Sequence, residues 1–328
     1  MSKWLNLQLF AGNYNTNTTT QQSMSPTMKT FYDTALLENA RAVLVFNQFG
    51  DHQKMKGNKV EWRKFNTFAK ALTPLTEGVN PDGSTFGMTY IEATTTQHGD
   101  YTTVSDRLEL ESYDDIIYGA TEEMGAAGGA TFDTLTRNVL IAGNSVMYAP
   151  KGGGQPVESR SALDKTCLLT PKLVNKAATW LKKNKAPKIN GYYIALIHPS
   201  VAEDLRESNE WKEYHKYNNV EPIYKGEIGT LHGVRFIEST ECKVHGNATS
   251  GGYATYDTLF LGAKAYGILD PEGEGMEMIV KDKSVIGGAL ELFSTIGYKF
   301  CHGAKILYQE RILRVESCSS YSETDEEN

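Results

Sequence analysis

The chain has 328 residues, 40% of them hydrophobic, which excludes a disordered protein and leaves room for one large domain or two ordinary ones. Its net charge of −7 comes with Lys and Arg scattered along the sequence, so a protein whose task is to grip phosphate backbones is excluded; nucleic acid would be contained rather than read. The four cysteines, Cys167, Cys242, Cys301 and Cys318, form no close pair and no regular framework, the pattern of thiols kept reduced and one that speaks against zinc.

Residues 1–28 read as an extended arm. The mild apolar run around Leu5, Leu7 and Leu9 is broken by Asn6 and Gln8 and is too short to span a membrane. Asn, Thr and Gln fill almost all of residues 13–22, which cannot bury enough area to offset their ordering entropy. Apolar residues at helical spacing, among them Leu36, Ala40, Val43 and Leu44, predict a helix over 30–46.

Residues 54–106 carry the most telling pattern, that of a long hairpin. Val60 and Trp62 alternate with Lys59, Glu61 and Arg63, and the return arm over 90–102 is rich in Thr and Tyr. Between them, residues 75–84 hold the Gly, Asn and Pro of a turn-rich tip. A two-stranded ribbon with no core of its own is marginal alone, so it is expected to lie on another copy of the chain.

From Tyr113 to Ala142 apolar residues recur every three or four positions, predicting one helix some 45 Å long at about 1.5 Å per residue. Gly119, Gly125, Gly128 and Gly129 inside it each cost on the order of 1 kcal/mol relative to alanine. Two readings stay open for them: a kink or break near Gly128-Gly129, or close approach of another backbone along a smooth helix face. Glycine-rich residues 150–162 read as a flexible linker and a domain boundary.

Thr170-Pro171 then supplies a cap and a first-turn proline for a helix with Leu173, Val174, Ala177, Ala178 and Leu181 on one face. The unbroken apolar run 192–197 predicts a strand buried on both faces, and His198-Pro199-Ser200 opens a short helix. With strand candidates at 234–238 and 258–261, residues 165–270 read as a compact α/β unit. Residues 275–281, 289–299 and 304–316 have strand character, the last two returning to pack on the long helix. The acidic tail, 317–328, has nothing to pack.

Catalytic signatures are missing. Gly152-Gly153-Gly154 lacks the Lys-Ser or Lys-Thr of a phosphate loop, and no G-x-S-x-G elbow is present. His198 reads as a helix-entry residue, and Cys301-His302 has no second pair at ligand spacing. The adjacent carboxylates Asp114-Asp115 and Glu122-Glu123 point apart on a helix, as in a solvated face or a subunit contact. No catalytic, cofactor or metal site is expected.

These segments together resemble the major capsid proteins of tailed bacteriophages, whose shell fold is shared with herpesvirus capsids. The likeness rests on Leu75-Thr76-Glu77-Gly78-Val79, on Gly99-Asp100-Tyr101 with Asp106-Arg107-Leu108-Glu109-Leu110, and on Leu135-Thr136-Arg137-Asn138-Val139-Leu140. It rests also on Asn190-Gly191-Tyr192-Tyr193-Ile194-Ala195 with Ile197-His198-Pro199, and on Gly229-Thr230-Leu231-His232-Gly233-Val234, a G-x-L-x-G-V pattern. The resemblance implies an α+β fold in seven parts. These are an N-terminal arm (1–28), an arm-proximal helix (29–53), an extended β-hairpin loop (54–106), a peripheral domain with a spine helix (107–164), an α/β axial domain (165–270), peripheral return strands (271–316) and an acidic tail (317–328).

By the same resemblance the protein would build, from hexamers and pentamers of itself, the icosahedral shell around phage double-stranded DNA, which it contacts non-specifically. It would be assembled in the host bacterial cytoplasm and reside in the virion capsid, with a portal protein at one vertex and no membrane. Some relatives carry a scaffolding segment before the arm; here a separate scaffolding protein is expected. Candidate intersubunit contacts follow from sign: Lys54, Lys56, Lys59, Trp62, Arg63 and Lys64 on the ribbon, and Glu109, Glu111, Asp114, Asp115, Glu122 and Glu123 at the start of the spine. The rival readings are an enzyme built on the α/β unit around His198, and a tail or adhesion protein, which would explain Thr-rich strands but not the long helix.

Overall fold

The computed structural model describes residues 45–75, 77–80, 83–111, 116–217, 227–272, 275–286 and 290–328. In chain order the elements begin with β1 (Asp51–Met55), β2 (Lys59–Phe65), β3 (Met88–Thr94), β4 (Thr96–Ser105), α1 (Asp106–Glu111), α2 (Ile116–Ile141) and β5 (Val146–Tyr148). Next come α3 (Pro171–Lys183), β6 (Tyr193–Ile197), α4 (Pro199–Glu207), α5 (Asn209–Tyr217), β7 (Glu227–Leu231), β8 (Val234–Glu238), β9 (Val244–His245) and β10 (Thr255–Leu261). The remainder is β11 (Tyr266–Pro271), β12 (Glu277–Lys281), α6 (Lys283–Ile286), β13 (Phe293–His302), β14 (Ala304–Ile306) and β15 (Ile312–Ser317).

The largest sheet runs β5-β15-β10-β6-β8-β7, with β9 added on β10. Strand β6 is buried along its whole length because the sheet is covered on both sides. Tyr193, Ala195 and Ile197 meet Leu173, Val174, Ala177 and Leu181 of α3, Val201 and Leu205 of α4, and Trp211 of α5. Ile194 and Leu196 point the other way, onto Phe46, Phe49, Leu140 and Tyr266. Helix α3 starts as its sequence predicts, the Thr170 side chain accepting from the Leu173 amide ahead of Pro171.

Helix α2 lies on a second sheet, β12-β13-β4, through Ile117, Met124, Phe132 and Leu135 packed on Val104, Met278, Ile296, Tyr298 and Phe300. It runs unbroken through Gly128-Gly129, so the helix does not break there. A Cβ on Gly128 would come within 3.3 Å of the Tyr298 ring and 3.4 Å of the Met276 sulfur, which makes the close neighbour this chain's own β13. Beneath the same helix lies a buried polar pocket. Asp133 Oδ1 accepts from the Val45 and Phe46 amides at 3.1 and 2.8 Å, and Thr136 Oγ1 lies 2.8 Å from Asn47 Oδ1 and 3.1 Å from His302 Nε2. Desolvation pushes the Asp133 carboxyl up to about 7, and pushes His302 down to about 4.

The structure corrects four of the expected segments. The return arm of the hairpin divides at Thr95: β3 pairs with β2, but β4 pairs with β13, and β1 joins β11 and β14. Strand β15 does not return to the long helix; it inserts into the large sheet between β10 and β5. Because β5 is already part of that sheet, residues 150–162 mark no boundary, and Arg160 fastens them through a bidentate pair with the buried Glu316 at 2.7 and 2.8 Å. The arm (1–28) and all but the last two residues of the helix expected over 30–46 lie outside the described residues; Val45 and Phe46 lead into a turn.

The tail is the fourth correction. Cys318 and Ser319 are buried, Ser319 donates to the Ser200 carbonyl, and Tyr256 donates to Asp325 at 2.6 Å. The Asn328 side chain accepts from the Val244 amide and donates to the Cys242 carbonyl, both at 3.0 Å, while its backbone oxygen takes Arg137 of α2. Removing residues 323–328 therefore strips a partner from the buried Arg137 and is expected to cost on the order of 2–4 kcal/mol. Chemical denaturation reads this, and an unchanged midpoint would show the tail to be idle. Among the described residues no helix is long and apolar enough to cross a membrane.

Candidate assembly interface

Two exposed apolar surfaces stand out. The first is the outer half of the ribbon. Pairing of β2 with β3 continues one step beyond the strands, Asn66 donating to the Gly87 carbonyl at 2.9 Å. There Phe65 and Phe68 stack on Phe86 with ring centroids 4.9 and 5.7 Å apart, yet the three rings remain 59%, 52% and 63% exposed. Leu72, Leu75, Val79, Met88 and Tyr90 extend the same exposure. This is more apolar area than the sequence pattern suggested, since the alternation stops at Phe65 and the aromatic cluster is assembled by the loop folding back.

The inner half of the ribbon is held by its own chain. The Trp62 ring lies so close to Gly267 of β11 that a Cβ there would be 2.6 Å from Trp62 Cζ2, and it packs with Val60, Met55, Ala93 and Leu269. Trp62, expected at an intersubunit contact, anchors the ribbon to its own chain, and the ribbon has a small core at its base. Lys59 pairs with Glu92, Arg63 with Glu61 at 3.2 Å, and Lys56 with Glu272 at 3.5 Å, while Lys64 Nζ sits 4.5 Å from the Tyr308 ring centroid. Lys54, in β1, is exposed. Lys56, Lys59, Arg63 and Lys64 thus already have partners at the base, and the outer half is aromatic.

The second surface surrounds α1. Leu108 and Leu110 are exposed, as are Leu290, Leu292 and Phe293, which the Asp106 amide joins by donating to the Leu292 carbonyl at 3.0 Å. Glu109 lies in this patch, 3.5 Å from Lys283 Nζ, and Glu122 and Glu123 are exposed on the first turns of α2. Asp114 and Asp115 lie outside the described residues, as does the side chain of Glu111. The result is an apolar patch with an acidic border, which the hydrophobic positions of α1 alone did not reveal because Leu290, Leu292 and Phe293 arrive from far along the chain.

His198 does what a helix-entry residue does: its Nδ1 accepts from the Ser200 amide at 3.3 Å, its ring lies against Tyr256 with centroids 4.9 Å apart, and burial lowers its basicity. Cys301 and His302 are neighbours in β13 and point to opposite sides of the sheet. Among the described residues no three His, Cys, Asp or Glu side chains gather at metal-ligating distance.

The comparisons with known proteins agree with this architecture. No curated protein matches the sequence. Among solved structures, the capsid of cyanophage P-SCSP1u superposes with a TM-score of 0.63 at 13% identity, covering 85% of this chain and 89% of that one. The capsid of Ralstonia phage GP4 gives a TM-score of 0.63 at 13% identity, with 87% and 90% covered. Such low identities speak for the fold, an α+β arrangement shared with these shells. The sequence itself carries the rest: residues 88–289, well over half the chain, match the family described as phage capsid protein, and the chain belongs to that family.

Proposed function

We propose that this protein is the major subunit of a phage head, closing as hexamers and pentamers into an icosahedral shell around double-stranded DNA in the host cytoplasm. The seven-stranded unit is the axial domain and α2 with its sheet the peripheral domain. The ribbon of each copy lies on the patch around α1 and α2 of its neighbour. The observation that supports this most is the aromatic end of the ribbon: Phe65, Phe68 and Phe86 lie against one another but remain uncovered. Its counterpart around Leu108, Leu110 and Phe293 is likewise apolar and exposed, with Glu109 in its border.

Each contact can be modest, on the order of 1,600 Å² of buried area, because engagement of several contacts at once raises effective concentration. A separate scaffolding protein sets the curvature, a portal protein fills one vertex, and DNA is contacted without sequence preference. Changing Phe65, Phe68 and Phe86 together to serine is expected to leave the folded chain intact and to reduce closed particles on the order of a hundredfold, since the loss of three desolvated aromatic anchors exceeds about 3 kcal/mol. Negative-stain microscopy and sedimentation of the expressed chain read this. Normal shells from the triple variant would end the proposal, as would a stable monomer from the unmodified chain at high concentration.

A further inference from the structure

The lysines are not scattered evenly. Between residues 165 and 202 lie Lys165, Lys172, Lys176, Lys182, Lys183, Lys185 and Lys188 and not one acid, in a chain whose net charge is −7. All seven are exposed, and Lys172, Lys176 and Lys183 fall on one stripe of α3 at helical spacing, opposite the buried stripe of Leu173, Ala177 and Leu181. Among the described residues none of Lys172, Lys176, Lys182, Lys183 and Lys185 has a carboxylate within 4.0 Å. On the same face of the large sheet, α4 and α5 carry Glu203, Glu207, Glu210 and Glu213, all exposed, which outnumber the exposed Arg206, engaged by Glu238, and Lys212. Of these glutamates only Glu210 has a cationic neighbour, His232 at 3.8 Å, among the described residues.

The two rows sit toward opposite edges of one sheet. Helix α3 packs on β15 and α5 packs on β7, and these strands flank the central β10-β6 pair from either side. A surface positive at one edge and negative at the other cannot pair with itself about a two-fold axis without setting like charges together. It is matched by the opposite edge of another copy, a heterologous contact that closes into a ring when repeated. We propose that the α3 lysine row of one copy seats against the α4–α5 glutamate row of the next, joining the large sheets head to tail around the capsomer axis.

This rests on the assembly reading above. DNA is the other polyanion such lysines would suit, but the glutamate row on the same face repels it. Such pairing is screened over about 8 Å at physiological ionic strength, so it sets partner choice and speed of association more than final affinity.

The test uses the full chain in two charge-reversed forms: one with Lys172→Glu, Lys176→Glu and Lys183→Glu, the other with Glu203→Lys, Glu207→Lys and Glu213→Lys. Each alone is expected to yield rings and shells reduced about tenfold or more, because like charges then face each other. Mixed in equal amounts they are expected to recover six-membered rings, acidic edges alternating with basic ones, which a five-membered ring cannot accommodate; a single chain carrying all six changes is expected to recover both rings and shells. Normal assembly by either form alone overturns the inference, as does failure of both the mixture and the six-fold variant to recover. Assembly retained by the lysine-reversed form with loss of DNA from the particles would make DNA the occupant and overturn it equally. Should a reversed form not fold by circular dichroism, Lys172→Gln, Lys176→Gln and Lys183→Gln replaces it: assembly that no longer slows with added salt supports the pairing, and an unchanged salt dependence overturns it. If the unmodified chain forms no rings or shells, the assembly reading fails first.

Discussion

Replacing Asp133 with asparagine is expected to expose a pH dependence of stability that the native protein conceals. Asp133 is fully buried under α2, and its carboxyl is raised from 3.8 to about 7 by desolvation, with Glu241 adding to the shift and the Val45 and Phe46 amides opposing it. Between about pH 4 and 7 the fold therefore holds a proton that the unfolded chain has released, and stability is lost as pH rises. His302, one helical turn away through Thr136, behaves oppositely. Its pKa is lowered from 6.5 to about 4, so the unfolded chain takes up a proton that the fold refuses, and stability is lost as pH falls.

Over the window from about pH 4 to 6.5 the two slopes offset. Asp133→Asn keeps the acceptor for the two amides and removes one slope, so stability measured against the native protein is expected to climb on the order of 3 kcal/mol from pH 4 to 6.5. His302→Gln is expected to do the reverse, falling by a similar amount over the same range. Urea unfolding at half-unit pH steps reads both. Because the other titrating groups, such as His52 beside Asp270, are common to all three proteins, the difference curves isolate the pocket. Parallel curves for Asp133→Asn and the native chain would remove this account.

Substituting valine for Gly267 is expected to detach the ribbon while the sheets persist. The Trp62 ring occupies the space a side chain would take, with 2.6 Å between the position of a Cβ and Cζ2, and no rotamer of valine avoids it. Trp62→Ala is expected to give the same outcome from the other side, at a cost of about 3 kcal/mol for the vacated anchor. Trp62→Phe distinguishes packing from hydrogen bonding. The indole Nε1 is buried with no acceptor among the described residues, so phenylalanine gives up no bond and is expected to stay within about 1 kcal/mol of the native protein. Limited proteolysis within residues 66–87, alongside thermal unfolding, measures detachment. Cleavage at the native rate in Gly267→Val would show that Trp62 does not anchor the ribbon.

How much of this was legible in the sequence depended on distance along the chain. Thr170-Pro171 announced α3 to the residue, and the apolar run of β6 announced a strand covered on both sides, because caps and burial periodicity are local signals. The place of β4 was not legible: its Thr and Tyr alternate as readily beside β3 as beside β13, and the choice is made by Ile296, Tyr298 and Phe300 two hundred residues away. The tail misled for a similar reason. Its acids looked solvated until Lys243, Tyr256 and the buried Arg137 were brought beneath them. At the candidate interface, the ribbon and the acidic start of the spine could be read, whereas the Phe65-Phe68-Phe86 stack needs the loop to double back. The lysine row was in plain view but averaged away by the net charge.

The position of β15 has a consequence for how the subunit is made. The core of the large sheet cannot be completed until residues 312–317 have been synthesised, since β5 and β10 each pair with that strand and not with each other. Every earlier product on the ribosome therefore carries a sheet with an open seam, and closure across so wide a separation is slow. A nascent chain holds its sticky ribbon before it holds a finished body.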